Sequence, residues 1–159
     1  MKLGYCALKG QSGHDAAYAL LEKLYRQETG QPLPPMARTP RGKPYFVDSP
    51  YCFSISHTPR HAFCVLARAN VAIDAEEADR PLRLGLAEKI LSPPELERWR
   101  SSADPRKDLL RLWVLKEAAA KLSGEGLRGY PNHTDFFPED PRLREIDGCI
   151  VAIFGGEEE

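Results

Sequence analysis

Val71-Ala72-Ile73-Asp74-Ala75-Glu76 runs an apolar segment into two carboxylates spaced i, i+2. In an extended strand, side chains two apart leave the same face, with Cα atoms roughly 7 Å from each other. Like charges held that close raise each other's pKa unless a cation sits between them. A hard divalent ion such as Mg²⁺ suits the pair. It takes a few carboxylate oxygens and keeps water or phosphate oxygens as its other ligands. Taken alone, the hexapeptide is more simply a strand end whose acids face water. The surrounding chain decides between the two.

Upstream, residues 51–55 and 62–67 have the same strand character as 71–75. The turns Thr58-Pro59-Arg60 and Arg68-Ala69-Asn70 separate them, short enough to predict a meander of antiparallel neighbours. Further back, Pro32, Pro34, Pro35, Pro40 and Pro44 predict an irregular surface loop that carries Arg38, Arg41 and Lys43. Residues 13–29 have helical spacing at Ala16, Ala17, Leu20, Leu21, Leu24 and Tyr25, and Gly30 stops the run. Residues 1–8 form a first strand, too short for a signal peptide.

Downstream, residues 82–91 are amphipathic and predict a helix. Ser92-Pro93-Pro94-Glu95 predicts a capping box for the next one. Asp104-Pro105 opens a longer helix to about Ser123, ended by Gly124-Glu125-Gly126. Between Leu112 and Leu122 that helix is apolar on every side except at Lys116, Glu117 and Lys121. Such a helix is buried, and charges on it need partners or a polar cleft. Beyond Arg128, Pro131, Pro138 and Pro141 punctuate a loop-rich region before a last strand at 149–154 and the acidic tail 157–159.

The 159 residues, 42% hydrophobic and 28% charged, suit one domain or two small lobes sharing a core. A net charge of -1 gives no reason to expect binding to nucleic acid or to anionic membrane. No apolar run approaches the roughly 20 residues that span a bilayer, so a cytoplasmic location is expected. Cys6, Cys52, Cys64 and Cys149 form no C-x-x-C pair, and no histidine stands at zinc-finger spacing from them. Free, buried thiols are expected, with neither a disulfide nor a metal site.

Four pieces now stand in order: Gly42-Lys43-Pro44-Tyr45-Phe46, Phe53-Ser54-Ile55-Ser56-His57-Thr58, Ile73-Asp74-Ala75-Glu76, and Trp113-Val114-Leu115-Lys116-Glu117-Ala118-Ala119-Ala120-Lys121. Their order and spacing resemble the 4′-phosphopantetheinyl transferase superfamily. Its members share a G-K-P stretch, an S-x-S-H or N-x-S-H turn, a G-x-D-x-E strand and a W-x-x-K-E-x-x-x-K helix. Each motif is weak alone; jointly, over residues 42–127, they are specific. The resemblance implies an α+β fold, an antiparallel sheet with a long buried helix. It points to a compact form of the larger, surfactin-synthetase-activating type, a pseudodimer of two halves in one chain. The expected organisation is one domain with a shortened lobe at 1–50 and a lobe at 51–156 that carries the motifs.

By the same resemblance, the chain moves 4′-phosphopantetheine from coenzyme A to a serine of an apo carrier protein, with Mg²⁺ or Mn²⁺. Asp74, Glu76 and Glu117 match the metal-binding acids. Lys121 matches a lysine on the phosphates of coenzyme A, and Ser56, His57 and Lys43 match residues on the nucleotide's phosphates. Glu95 resembles an acid that serves as base toward the carrier serine, but the same carboxylate completes the capping box. Glu117 or a metal-bound water is the alternative base. Lys116, about 100° around the helix from Glu117, faces either outward or toward a phosphate. The residues support the acid set independently. An exposed Glu117–Lys121 pair would contribute only about 0.3–0.5 kcal/mol, a poor reason to place charges on an apolar helix.

Two departures stand out. Ala72 replaces the usual glycine, and only Arg38 and Arg41 are available for the family's upstream basic cluster. A noncatalytic coenzyme A or carrier-protein binding relative is the competing expectation. A Ser56–His57 hydrolase is disfavoured, because adjacent side chains on a strand diverge. An acidic carrier would find a basic stretch at Arg98, Arg100, Arg106, Lys107 and Arg111. No nucleic-acid or membrane partner is expected, and a monomer is.

Overall fold

Residues 1–126 and 134–157 are described by a computed structural model of the chain. Arg128 and Pro131 of the expected loop, and Glu158 and Glu159 of the tail, lie outside those residues. β1 (Lys2–Ala7) leads to α1 (Gly13–Thr29), which begins where the Ser12 hydroxyl accepts from Asp15 N–H. It ends at Gly30, whose φ of 71° favours glycine. The proline-rich stretch is not wholly irregular: β2 (Met36–Arg38) and β3 (Pro44–Phe46) make a small antiparallel hairpin. Pro44 is the first residue of its strand, where a missing N–H costs least.

β4 (Cys52–His57) and β5 (His61–Ala67) pair antiparallel, as the short turn predicts. β6 (Val71–Glu77) does not continue that meander. β1 and β4 fill both edges of β5, giving the order β1-β5-β4. β6 instead pairs with β8 (Cys149–Gly155), which pairs with β7 (Leu143–Ile146), in the order β6-β8-β7. Residues 68–70 thus link the last strand of the first sheet to the first strand of the second. β6 still runs beside β4, joined through side chains: Ile73 N–H donates to Ser54 Oγ and Ala75 N–H to Ser56 Oγ, each at 3.1 Å.

The helix expected over 82–91 is a 3₁₀ turn (Leu84–Leu86) followed by the one-turn α2 (Ala87–Ile90). Leu91 is extended at ψ 142°, the entry that the next cap requires. α3 (Pro93–Trp99) then starts on the complete Ser92–Glu95 capping box. α4 (Pro105–Ser123) runs from the Asp104 cap to a left-handed Gly124.

Strand alternation distributes the core over both faces of the sheets. Leu21 and Tyr25 of α1 pack on Phe53, Cys64 and Leu66. Phe63 and Val65 meet Ile73, Ala75, Val151 and Ile153 between the two sheets. Leu112, Leu115 and Ala119 of α4 cover Ile150, Ala152 and Phe154. All four cysteines are free. No helix among the described residues is long and apolar enough to cross a membrane.

Candidate active site

β6 turns Asp74 and Glu76 toward α4, because their register partners Ala152 and Ile150 face that helix. α4 answers with Trp113, Glu117 and Lys121, four residues apart on one stripe. Lys121 Nζ donates to Asp74 Oδ1 at 3.0 Å, and also to the carbonyls of Ile73 (2.9 Å) and Ile55 (3.3 Å). Arg80, in the turn after β6, donates to Glu76 Oε1. Asp74 is 7% exposed, and its Oδ2 is buried with no hydrogen-bond partner among the described residues. The buried Trp113 indole N–H faces the Glu76 carboxylate and favours its charged form.

Burial pushes the Asp74 carboxyl up, and the charges of Lys121 and Arg80 only partly offset it. Burial also pushes Glu76 up, against the pull of Arg80 and with the Asp74 charge adding to the rise. Glu117 is pushed up to about 7, first by burial and then by the Asp74 and Glu76 charges. Glu117 therefore senses both other acids and Glu76 senses Asp74, while two cations, Lys121 and Arg80, face the three carboxylates. The oxygens of the three acids do not all lie within 4.8 Å of one another; Lys121 and Arg80 hold Asp74 and Glu76. An orphaned buried carboxylate oxygen among like charges nonetheless fits a hard divalent ion.

Beside this cluster a cleft of about 340 Å³ is lined by Arg41, Lys43, Phe53, Ser54, Glu117 and Lys121, among others. Lys43 Nζ reaches Asn70 Oδ1 at 3.3 Å, and burial lowers its pKa. Arg41 donates to the Glu125 carbonyl, which draws the proline-rich loop onto the end of α4. Ser56 and His57 are not among the lining residues. Ser56 is 6% exposed, and its hydroxyl sits in the β4–β6 seam. His57 leaves the other face of β4 and lies against Gly13, where an added Cβ would come within 2.6 Å of its ring.

A family model described as the 4′-phosphopantetheinyl transferase superfamily matches residues 70–148. The 4′-phosphopantetheinyl transferase psf-1 of Bacillus pumilus is 33% identical over 122 residues, which cover 71% of this chain and 52% of the relative. The chain belongs to the 4′-phosphopantetheinyl transferase superfamily. A Haemophilus influenzae protein named provisionally as a 4′-phosphopantetheinyl transferase is 31% identical over 111 residues, 67% of this chain and 47% of that protein. The chain thus spans about half the length of the curated relatives it matches. The superfamily match takes in β6, α3 and α4 with Asp74, Glu76, Glu95, Glu117 and Lys121; Lys43, Ser56 and His57 precede it.

Within this superfamily member, Glu95 is not free to act as a base. Its Oε1 lies 2.6 Å from Lys116 Nζ, and both side chains are fully buried. Ser92 N–H donates to the same oxygen and Phe136 N–H to Oε2, each at 2.8 Å. Lys116 accordingly faces inward, toward neither solvent nor a phosphate; its Nζ also donates to the Thr134 carbonyl at 3.0 Å. Most of the expected basic stretch is paired within the chain: Arg98 to Asp135, Arg100 to Glu97, Lys107 to Glu145, and Arg111 to Asp108 and Glu145. Arg80 and Ser54 join the site without having been singled out in the sequence. Ser54 opens the S-x-S-H stretch, and it is this serine rather than Ser56 that lines the cleft; Arg80 stands four residues after Glu76, where no local pattern marks it as a site residue.

Proposed function

We propose that this chain transfers 4′-phosphopantetheine from coenzyme A to a serine of an apo acyl or peptidyl carrier protein, releasing 3′,5′-adenosine bisphosphate. The observation that carries the proposal is the meeting of Asp74, Glu76 and Glu117 between β6 and α4, with Asp74 Oδ2 buried and unpartnered among the described residues. Asp74, Glu76 and Glu117 would hold Mg²⁺, with Mn²⁺ as the alternative. When bound, the ion neutralises charge on the pyrophosphate oxygens. A pseudodimeric reading draws support from topology: in each sheet the first strand lies beside the third and the third beside the second, with a long helix between the first two. A single chain would then supply both halves, and it would act as a monomer.

The roles of the chain's own groups follow from their positions. Lys43, Lys121 and Arg41 line one cleft and would receive the phosphates of coenzyme A there. His57, exposed at the end of β4, would approach the nucleotide, while Ser56 serves from within the β4–β6 seam by holding Ala75 N–H beside Asp74. The carrier serine Oγ bonds to the phosphorus that carries pantetheine; the pyrophosphate P–O bond breaks, and its electron pair leaves with the adenosine bisphosphate. Glu117 lines the same cleft and would take the serine proton through the oxygen that does not hold the ion. Lys121, beside the breaking bond, would meet the charge that develops on the leaving oxygen.

Purified protein with coenzyme A, Mg²⁺ and a panel of apo carrier proteins should add the mass of one phosphopantetheine to a carrier. Asp74→Ala should abolish the gain while circular dichroism stays unchanged. If every carrier in a diverse panel remains unmodified, the transferase assignment fails. Calorimetric binding of coenzyme A in the same samples would then mark a noncatalytic relative.

A further inference from the structure

The opposite face of β6 holds a second cluster of ligand-type side chains. Glu77 points away from α4, as Ile73 and Ala75 do, and its register partner is Cys149 at the start of β8. His61, the first residue of β5, completes the group. His61 Nδ1 lies 2.8 Å from Glu77 Oε1 and 3.4 Å from Cys149 Sγ. Among the described residues this is the one trio of His, Cys, Asp or Glu whose ligand atoms all lie within 4.8 Å of one another. Both short contacts use the same ring nitrogen. A nucleophile–base–orienter relay needs one partner on each nitrogen, so the cluster does not have that geometry. Cys149 is also 0% exposed, out of reach of a substrate. Three ligand atoms converging on one point is instead the geometry of a bound ion.

We propose that His61 Nδ1, Glu77 Oε1 and Cys149 Sγ form a zinc-type site, independent of the acid cluster on the other face of β6. Usual zinc bond lengths put N and O about 3.3 Å apart and N and S about 3.6 Å apart around a tetrahedral ion. The observed 2.8 and 3.4 Å therefore need to open by only about half an ångström and a few tenths. Thiolate with imidazole selects a softer ion than Mg²⁺. Outer contacts already orient the carboxylate: Thr58 Oγ1 donates to Oε1 at 2.6 Å, and Arg60 Nη2 to Oε2 at 3.0 Å. A cleft of about 580 Å³, lined by Arg60, Glu77, Asp79 and Arg80, opens beside Glu77 and gives an ion a way in. On binding, the Cys149 thiol gives its proton to solvent, and His61 gives up the Nδ1 proton that it donates to Glu77 and carries its proton on Nε2 instead. The ion ties the β4–β5 turn to the start of β8, and so one sheet to the other. Sequence spacing hides the site, because its ligands come from three separate strands.

The test titrates Co²⁺ into the purified, metal-stripped full chain. One equivalent should produce an intense near-ultraviolet thiolate-to-cobalt band with the visible spectrum of a four-coordinate site. One equivalent of Zn²⁺ should remove it. The band should be absent in Cys149→Ser and His61→Ala, and retained in Glu117→Gln and Cys64→Ser. No band in the wild type, or a band that survives Cys149→Ser, overturns the proposal. If Cys149→Ser does not fold, zinc-edge X-ray absorption of the loaded wild type decides: one sulfur in the first shell supports the site, and none overturns it.

Discussion

Replacing Glu117 by glutamine separates what the acid cluster does for the reaction from what it costs the fold. Folding takes Glu117 out of water and sets it beside Asp74 and Glu76, which raises its pKa from 4.5 to about 7. The unfolded chain therefore gives up this proton first as the pH rises. The resulting destabilisation is absent below about pH 4.5, grows from there to about pH 7, and is complete above it. At about 1.4 kcal/mol for each tenfold change in proton affinity, the shift is worth about 3 kcal/mol in a dry site. Glu117 is partly solvated, and screening lowers this to on the order of 1–2 kcal/mol. Glutamine keeps the shape and removes the charge. Glu117→Gln should thus be more stable than wild type by that amount at about pH 8 without metal, and nearly equal to it at about pH 5. Urea unfolding in a chelating buffer measures both differences. Millimolar Mg²⁺ should shrink the gap by stabilising the wild type alone, and carrier modification should be lost throughout. A variant less stable than wild type at both pH values would refute the like-charge account of this cluster.

Lys116→Met should cost about 3–5 kcal/mol in urea unfolding, because it strands a buried Glu95 carboxylate. Adding Glu95→Gln should recover part of that loss by removing the stranded charge. Ser54→Ala and Ser56→Ala should each cost about 1–3 kcal/mol by orphaning a buried N–H. Faster hydrogen exchange at Ile73 and Ala75, respectively, would identify the seam as the place weakened. Glu77 should make the fold acid-labile. Burial raises its pKa, but the hydrogen bonds from Thr58, His61 and Arg60 outweigh that and hold it at about 2, against 4.5 unperturbed. Its contribution is present above pH 4.5 and is lost as the pH falls toward 2. Unfolding free energies measured down that range should fall less steeply for Glu77→Gln than for wild type.

Features written in a few consecutive residues were legible before the fold was. The Ser92–Glu95 box, the Asp104-Pro105 start and the Gly30 and Gly124 stops all act within one helical turn, and each sits where the sequence puts it. The same holds for Asp74 and Glu76, since sharing a face at i, i+2 is a property of any strand. Partner choice was not legible. A short turn after β5 predicts that β6 pairs with it, but β1 returns from the far end of the chain to take that edge. The prolines around the β7–β8 hairpin read as loop and mask its strong turn signal, Asp147-Gly148, whose residues both have positive φ, 49° and 76°. The capping box was read correctly at Glu95, yet nothing local announces that Lys116, on another helix, points at the same carboxylate.

The position of Lys121 links the fold to the proposed chemistry. β4 and β6 meet without a backbone ladder between them, so the two sheets are held along this line by side chains. Ser54 and Ser56 supply acceptors for β6 amides. Lys121 supplies the matching donor, to one carbonyl from each strand, Ile55 and Ile73, while it holds Asp74. One ammonium group thus fixes the seam and one carboxylate of the acid cluster together. A phosphate drawing Lys121 toward the cleft would loosen both at once and release Asp74 Oδ1 to join the unpartnered Oδ2 in receiving a cation. Binding of the anion and of the ion should therefore each favour the other. Lys121→Met should remove that coupling while leaving a weak, unlinked affinity for each, which calorimetric titration of coenzyme A with and without Mg²⁺ would separate. Equal coupling in variant and wild type would show that Lys121 serves the seam alone.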